Sequence, residues 1–430
     1  MADRGMPSTT DPAAGSLGVV PAASRALIGS GVAVGAAVAA ANALNAIFQF
    51  ALARILDPSE YSLLAALFTV VLIAAVPTIA FQASVAREVA TGLAQGDEQA
   101  AALALRGTLR AALAWTLGVL ALTAVALGPL AAAVGIDRTL PVVATSATIA
   151  LGLGVPIVWG GLQGAGLFLA LSVAQIVFAA TRLGAGLAIG FAGGQTSEVM
   201  FGVAAATALT LLASLWPLRE LLSGAPAATH PRRRLATLPN AASAVALTTL
   251  TALTMVDLLI AKLAFRPHLA GAYAAGSVGA RVLLLVPIGV TTVLFPRVAT
   301  LRDAARERRH LLAGAAAVAL VSAPVTAVLW TLAGPLLDAT FGSKYHAAAG
   351  WLGPLALAMA LYALVYVYLF HFLSLGRTRF ALALVGLFAA QLVLFAFLHG
   401  RPAELIGVQI GMGAATLVTS ELWYLRRHRA

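Results

Sequence analysis

Four charged side chains lie inside otherwise apolar segments of this chain: Arg182, Asp257, Lys262 and Arg281. A charge at the centre of a membrane-spanning helix costs about 2.5–3.5 kcal/mol, so such residues mark functional sites or ion pairs. Together the four carry a surplus of positive charge that one carboxylate does not neutralise. This surplus predicts a site for an anion.

Arg281 is the strongest candidate among them. Helical spacing places it on one face with Tyr273 and Ser277. Two interpretations remain open for this arginine: it faces a ligand, or it forms a salt bridge with Asp257 on the preceding segment. Asp257 correspondingly either pairs with Arg281 or binds a coupling proton or cation, because a carboxylate in a low dielectric titrates readily.

The other two cations also admit two interpretations each. Lys262 lies near the end of its segment, where it either contributes to the site or extends its ammonium to the membrane interface. Arg182 shares a face with Ser172 and Gln175, a polar stripe that either lines a cavity or locks the helix to its neighbours.

Polar uncharged residues supply further candidates. Asn42, Asn45 and Gln49 form one amide-bearing face on the first apolar segment. Amides can bind sugar hydroxyls, and they also hold helices together. Tyr362, Tyr366 and His371 on a later segment either stack on a sugar ring or pack near the membrane interface.

The elements that position these residues are membrane helices. Of the 430 residues, 61% are hydrophobic and 10% are charged, which excludes an ordinary soluble globule. Because one span needs about 20 apolar residues, we predict an all-α protein with twelve spans. The predicted spans are 26–53, 61–84, 109–133, 140–162, 167–191, 198–218, 240–264, 271–295, 311–336, 349–373, 379–399 and 402–425.

The distribution of Lys and Arg predicts the topology. With twelve spans, 19 of the 27 Lys and Arg residues fall on the side that holds both termini, and 5 fall on the other. This bias predicts a multi-pass protein of the cytoplasmic membrane with both termini cytoplasmic. Most of the positive charge is therefore a topology signal. No aromatic residues interleave the basic loops, so we expect no nucleic-acid partner.

An internal repeat relates the two halves of the chain. Val76-Pro77 is followed ten residues later by Arg87, and Val286-Pro287 by Arg297. Further pairs at nearly the same offset are Arg54 with Lys262, Pro58 with Pro267, Gly128-Pro129-Leu130 with Gly334-Pro335-Leu336, and Gly164 with Gly376. We therefore expect two six-helix lobes related by a pseudo-twofold axis along the membrane normal, which is typical of alternating-access transporters.

The predicted boundaries leave no room for a soluble catalytic domain. We predict a disordered cytoplasmic tail, an N-lobe, a basic linker, a C-lobe and a short cytoplasmic C-terminus, at residues 1–25, 26–218, 219–239, 240–425 and 426–430. No nucleophile elbow, P-loop or HExxH motif is present. We expect no catalytic residues, no cofactor and no metal site, and a transport step driven by a gradient or by membrane potential.

Three regions of the sequence resemble the motifs of one known family. The segment Ala53–Tyr61, ARILDPSEY, is similar to the family's "AR-x-LGP-x-x-YG" hallmark, with Asp57 and Ser62 in place of its glycines. Asp257-Leu-Leu, Ala270-Gly-Ala-Tyr273 and Phe-Pro-Arg297 resemble "D-x-LL", "AG-x-Y" and "FPR". Phe341–Tyr345, FGSKY, resembles "FG-x-x-Y". By these motifs the chain resembles polysaccharide-biosynthesis flippases, the lipid-linked oligosaccharide exporters of the multidrug/oligosaccharidyl-lipid/polysaccharide (MOP) superfamily.

The resemblance implies a transporter that flips polyprenyl-pyrophosphate-linked oligosaccharide across the membrane. It implies cationic contacts to the pyrophosphate from Arg281, with Arg54 and Lys262 as further candidates. Membrane lipids, a polysaccharide polymerase and glycosyltransferases would be its partners. Two alternatives stay open: a cation-coupled multidrug exporter of the same superfamily, and a membrane glycan polymerase or glycosyltransferase.

Overall fold

Twelve helical segments of the computed structural model are long and apolar enough to cross a membrane. The structure describes residues 22–133, 139–223, 238–290 and 304–429, and no strand occurs among them. The helices are α1 (Ala22–Ile55), α2 (Pro58–Ala94), α3 (Glu98–Ala133), α4 (Leu140–Gly152), α5 (Gly154–Gly164), α6 (Phe168–Phe191), α7 (Thr196–Leu215), α8 (Arg219–Ser223), α9 (Leu238–Ala264), α10 (Pro267–Ala280), α11 (Ala304–Thr331), α12 (Ala333–Thr340), α13 (Ala349–Ser374), α14 (Phe380–Phe397) and α15 (Pro402–Arg429). Short 3₁₀ helices occupy Trp216–Leu218, Arg281–Leu285 and Ser343–Ala348.

The predicted twelve-span, all-α architecture is confirmed. Helices α1 to α8 form the N-lobe, which carries spans one to six, and α9 to α15 form the C-lobe, which carries spans seven to twelve. Several helices extend past the predicted apolar cores, because polar residues continue the helix beyond the apolar run. The second span runs over Pro58–Ala94 and the third over Glu98–Pro129, whereas the apolar runs had predicted 61–84 and 109–133.

Some predicted boundaries differ from the structure. Helix α1 begins at Ala22, inside the predicted tail. The segment predicted to begin the linker is helical through Ser223, and 224–237 lies outside the described residues. The ninth span covers Ala305–Thr331 rather than 311–336. Residues 291–303, which include Arg297, also lie outside the described part of the chain.

The internal repeat is visible in the helix packing. In the N-lobe α1 packs on α6, α2 on α5 and α4 on α7; in the C-lobe the corresponding pairs are α9 on α14, α10 on α13 and α13 on α15. Counted as spans, the N-lobe pairs are 1 with 5, 2 with 4 and 4 with 6, and the C-lobe pairs are 7 with 11, 8 with 10 and 10 with 12. The two lobes therefore have the same arrangement of spans.

A kink is repeated at equivalent positions of the two lobes. Ala126, inside α3, has φ −103° and ψ 17°. Leu332, which separates α11 from α12, has φ −106° and ψ 22°. Each residue comes three positions before the proline of a Gly-Pro-Leu sequence, Pro129 or Pro335. The ring of a proline clashes with the carbonyl group four residues earlier, which breaks the helix at this point.

The sequence paired Gly164 with Gly376 in the internal repeat, but in the structure the equivalent of Gly376 is Gly166. The glycines that end spans four and ten in the left-handed region are Gly166, with φ 72°, and Gly376, with φ 67°. They are separated by the same interval as the two Val-Pro pairs. Pro58 and Pro267 also occupy equivalent places, each at the start of a helix, where a missing N–H costs nothing.

The two lobes meet where α1 ends and α2 begins. Every residue of α2 from 61 to 69 is buried, and α2 packs on α9 and α10 of the C-lobe. Further along α2 the packing changes to α5 of the N-lobe, where Gly160 and Gly164 allow the helices to approach closely. We call the contact between the lobes at the α1 end the seam.

Candidate functional site

Asp257 is the centre of a hydrogen-bonded cluster in the C-lobe. It lies on α9 with 0% of its side chain exposed. Tyr273 donates its hydroxyl to Oδ2 at 3.0 Å and Ser277 donates to the same oxygen at 2.8 Å. Both donors come from α10, on the helical face that the sequence predicted. Because each donor compensates the lost hydration of the carboxylate, the cluster makes the buried charge tolerable.

Arg281 completes this cluster as the counter-ion. Its Nη2 lies 2.8 Å from Oδ1 of Asp257, and 12% of the arginine side chain is exposed. Nε and Nη2 also donate to the carbonyl oxygen of Thr254, at 3.2 and 3.0 Å. Of the two interpretations that the sequence left open for Arg281, this conformation shows the salt bridge with Asp257. The arginine contributes no uncompensated charge to an anion site in this conformation.

Arg182 in the N-lobe has a different environment. Its guanidinium donates to Oδ1 of Asn45 and lies 5.0, 5.5 and 5.7 Å from the ring centroids of Phe48, Phe68 and Phe178. In the described part of the chain, its Nε has no hydrogen-bond partner. One amide and three aromatic rings stabilise the cation without cancelling its charge. Because Asp257 neutralises Arg281, the positive surplus predicted for the spans resides in Arg182 and, near the end of α9, in Lys262.

The structure does not assemble all predicted site residues into one place. Asn45 contacts Arg182, whereas Asn42 is exposed and Oε1 of Gln49 is buried without a partner among the described residues. Lys262 is half-buried near the end of α9, five residues after Asp257. Arg182 and Asp257 thus lie in separate lobes.

Arg54 lies at the seam, where it binds the end of a helix in the other lobe. Its Nε donates to the carbonyl oxygen of Thr340 at 3.0 Å, and Nη2 donates to those of Asp338 and Ala339. These three carbonyl groups end α12. The last carbonyls of a helix lack internal partners and carry partial negative charge, so a cation stabilises them.

Residues of the C-lobe in turn donate hydrogen bonds to carbonyl groups at the end of α1. Lys344 donates its ammonium to the carbonyl oxygens of Arg54, at 3.0 Å, and Leu56, at 2.5 Å. Tyr345 donates its hydroxyl to the carbonyl oxygen of Ala53 at 3.0 Å. Each lobe thus caps the C-terminal end of a helix in the other lobe. We call Arg54, Lys344 and Tyr345 the interlobe latch.

Aromatic packing and a close backbone contact support the latch. The ring centroid of Tyr61 lies 6.2 Å from that of Phe341 and 5.7 Å from that of Tyr345. Gly342, with φ 103°, makes the turn that leads from α12 to Lys344. On α10, a Cβ atom added to Gly271 would lie 2.3 Å from the carbonyl oxygen of Pro58. The seam is therefore closely packed from both lobes.

Sequence reasoning did not anticipate this role for the motifs. Gly271 of "AG-x-Y" and the FGSKY segment both contact the hallmark Ala53–Tyr61 at the seam. The predicted topology does place all three motifs at the same end of the membrane domain, which was the available signal. Lys344 and Tyr345 were assigned no function from the sequence.

Gly271 provides a test of the seam. We expect Gly271→Ala to weaken the contact between the lobes strongly, because its Cβ would meet the backbone of Pro58. Gly276→Ala on the same helix is the matched control, since there a Cβ would lie 3.3 Å from the flexible side chain of Leu355 within the C-lobe. Distances between spin labels on the two lobes should increase only for the first variant; equal distances in both would contradict a tight seam.

A third charged cluster holds the C-lobe together at the opposite end of its helices. Glu307 at the start of α11 contacts Nε2 of His371 at 3.0 Å and accepts hydrogen bonds from Arg377 at 2.8 and 3.3 Å. Arg308 and Tyr368 bind Glu421. His371 is 5% exposed and Tyr362 is 0% exposed, so neither presents its ring to a sugar in this conformation.

Comparisons with known proteins agree with the fold and the motifs. Residues 168–350 match a family model described as a polysaccharide biosynthesis protein. The match runs from the start of α6 to the start of α13 and includes Arg182, Asp257, Arg281 and the FGSKY segment. No curated protein matches the chain in sequence.

Solved structures share the architecture at low sequence identity. The lipid II flippase MurJ in an inward closed conformation is 13% identical, with a TM-score of 0.67 over 94% of this chain and 88% of that chain. An outward-facing MATE-family multidrug resistance transporter of the MOP superfamily is 12% identical, with a TM-score of 0.66 over 93% and 95%. An MOP transporter from Pyrococcus furiosus, described by a binding pocket of reverse polarity, is 13% identical, with a TM-score of 0.59 over 93% and 95%.

These findings confirm the resemblance that the motifs indicated. Likeness at such identities establishes the fold, and the family match is confined to residues 168–350, fewer than half of the chain. The chain has the two-lobe fold of the solved MOP-superfamily transporters, and its residues 168–350 match the model of a polysaccharide-biosynthesis family.

Proposed function

We propose that this protein flips polyprenyl-pyrophosphate-linked oligosaccharide across the cytoplasmic membrane by alternating access. The observation that carries the proposal is the interlobe latch, a set of hydrogen bonds that joins the two lobes at one end of their helices. Alternating access requires the lobes to separate at one end and close at the other. Hydrogen bonds made across the seam can break and re-form without unfolding either lobe.

The charge of Arg182 supports an anionic substrate. A pyrophosphate carries negative charge that a guanidinium binds well. The polysaccharide-biosynthesis match and the likeness to a lipid II flippase point to the same class of substrate. We propose Arg182 and Asn45 as the primary contacts, with Asn42 and Gln49 toward the sugars. Arg54, Lys262, Arg281 and Tyr273 would contribute in other conformations.

The predicted topology indicates which side of the membrane is closed in this conformation. With both termini cytoplasmic, α1 ends on the outer side of the membrane, so the seam closes the outer side. The latch would then release when the substrate is delivered to the outer leaflet. Polysaccharide polymerases and glycosyltransferases would be the partners that consume and supply this substrate.

Reconstitution into vesicles tests this function. We expect wild-type protein to move a fluorescent polyprenyl-pyrophosphate saccharide between leaflets, and Arg182→Gln to reduce that rate at least about tenfold, since one charged contact is worth about 1.5–3 kcal/mol. Arg182→Lys keeps the charge and should retain part of the activity. Equal rates for wild type and Arg182→Gln would contradict the role of this arginine, and no exchange by wild type would contradict the function.

A multidrug exporter is the second candidate, because MATE-family transporters share this fold. Such a protein would lower the accumulation of cationic dyes in cells that express it. Dye efflux without saccharide exchange would favour this alternative.

A further inference from the structure

The carboxylate of Asp257 already has three hydrogen-bond donors. Tyr273 and Ser277 donate to Oδ2, and Arg281 donates to Oδ1. The side chain is fully buried. A cation that bound to this carboxylate would have to displace at least one of these donors. One of the three donors must therefore occupy the position that a bound cation would take.

One nitrogen of Arg281 lies where a metal cation would find oxygen ligands. Nη2 is 2.8 Å from Oδ1 of Asp257 and 3.0 Å from the carbonyl oxygen of Thr254. The hydroxyl groups of Ser277 and Tyr273 lie on the other carboxylate oxygen. Carboxylate, carbonyl and hydroxyl oxygens form the ligand set that hard cations prefer. In this chain a side chain supplies the positive charge instead.

The backbone fixes Arg281 in this position. Helix α10 ends at Ala280, and Arg281 begins a 3₁₀ segment. From there Nε adds a second hydrogen bond to the carbonyl oxygen of Thr254, at 3.2 Å. The guanidinium is thus anchored to α9 at both Thr254 and Asp257. A tethered group of this kind competes with free ions at a high effective concentration.

We propose that Arg281 is a tethered counter-ion that excludes monovalent metal cations from the oxygen cluster around Asp257. It follows that the wild-type protein does not draw on a sodium gradient through Asp257, and that removing the guanidinium creates a cation site. This inference rests on the geometry of the C-lobe and is independent of the substrate that the protein carries.

Thermal unfolding of the purified full-length protein tests the proposal. The melting temperature is measured at pH 8 in NaCl, LiCl and N-methyl-D-glucamine chloride at equal ionic strength. We expect no cation preference for wild type or for Arg281→Lys, which keeps a tethered cation. For Arg281→Met we expect NaCl or LiCl to raise the melting temperature by about 3 °C or more, as a ligand of the folded state does.

The double variant R281M/D257N identifies the site. It lacks the carboxylate, so the response to NaCl or LiCl should disappear. A persistent response in the double variant, or no response in Arg281→Met, would overturn the proposal. Because Arg281→Met could fail to fold, equilibrium binding of radioactive sodium to the wild-type protein is measured as well. Saturable sodium binding that R281M/D257N abolishes would overturn the proposal. Absence of such binding supports the proposal. Neither result depends on saccharide exchange.

Discussion

Removing both cations of the interlobe latch should open the seam. In the variant R54A/K344A, the ends of α12 and α1 lose the donors that now cap them. Hydrogen bonds from charged groups contribute about 1.5–3 kcal/mol, and the exposure of Arg54 favours the lower value. We therefore expect the equilibrium between closed and open seam to shift roughly tenfold or more, and saccharide exchange to fall because one conformation dominates.

Spin-label distances measure this shift directly. The chain contains no cysteine, so labels can be attached specifically at Ala192→Cys on the N-lobe and Ala347→Cys on the C-lobe, both at exposed positions. The distance distribution should move to longer values in R54A/K344A. Tyr345→Phe is the control, because it loses one hydrogen bond and keeps the ring packed on Tyr61. A distribution unchanged from wild type in R54A/K344A would show that packing between the helices, and not the latch, holds the seam closed.

The second large effect concerns the stability of the C-lobe. Arg281→Met leaves the carboxylate of Asp257 buried without its counter-ion, a change that costs about 3–5 kcal/mol in buried ion pairs. The double variant R281M/D257N should recover most of this loss, since removing both charges leaves no uncompensated group. Unfolding in denaturant, in a low-salt buffer without sodium or lithium, measures both values.

Arg182→Met provides the matched control for this experiment. Arg182 is also buried, yet its partners are an amide and aromatic rings, so its removal orphans no charge. We expect a loss of about 2 kcal/mol or less from the cation–π contacts. If Arg281→Met were no more destabilising than Arg182→Met, the ion pair with Asp257 would not be a major element of the C-lobe.

Much of the fold could be predicted from the sequence, because the relevant signals are local. Apolar length determines the spans, and the position of Pro129 and Pro335 determines the kinks at Ala126 and Leu332. The repeat followed from short sequence pairs, although Gly164 was matched where Gly166 is the structural equivalent. Helix ends were less certain, since polar residues such as those of α2 and α3 can continue a helix beyond the membrane.

The candidate site was predictable only in its residue types. Helical spacing put Tyr273, Ser277 and Arg281 on one face, and the structure has two of them bound to Asp257 beside the arginine. Spacing along one helix does not give its rotation toward its neighbours. The sequence therefore left both the paired and the ligand-facing interpretation of Arg281 open.

By itself, the sequence determined that this is a two-lobe membrane protein with a surplus of positive charge inside its spans. Those properties depend on composition and on spacing within single helices. The tertiary structure decided that Asp257 neutralises Arg281, that Arg182 keeps its charge, and that Arg54 and Lys344 join the lobes. These outcomes depend on distances between helices, and for the latch on residues nearly three hundred positions apart.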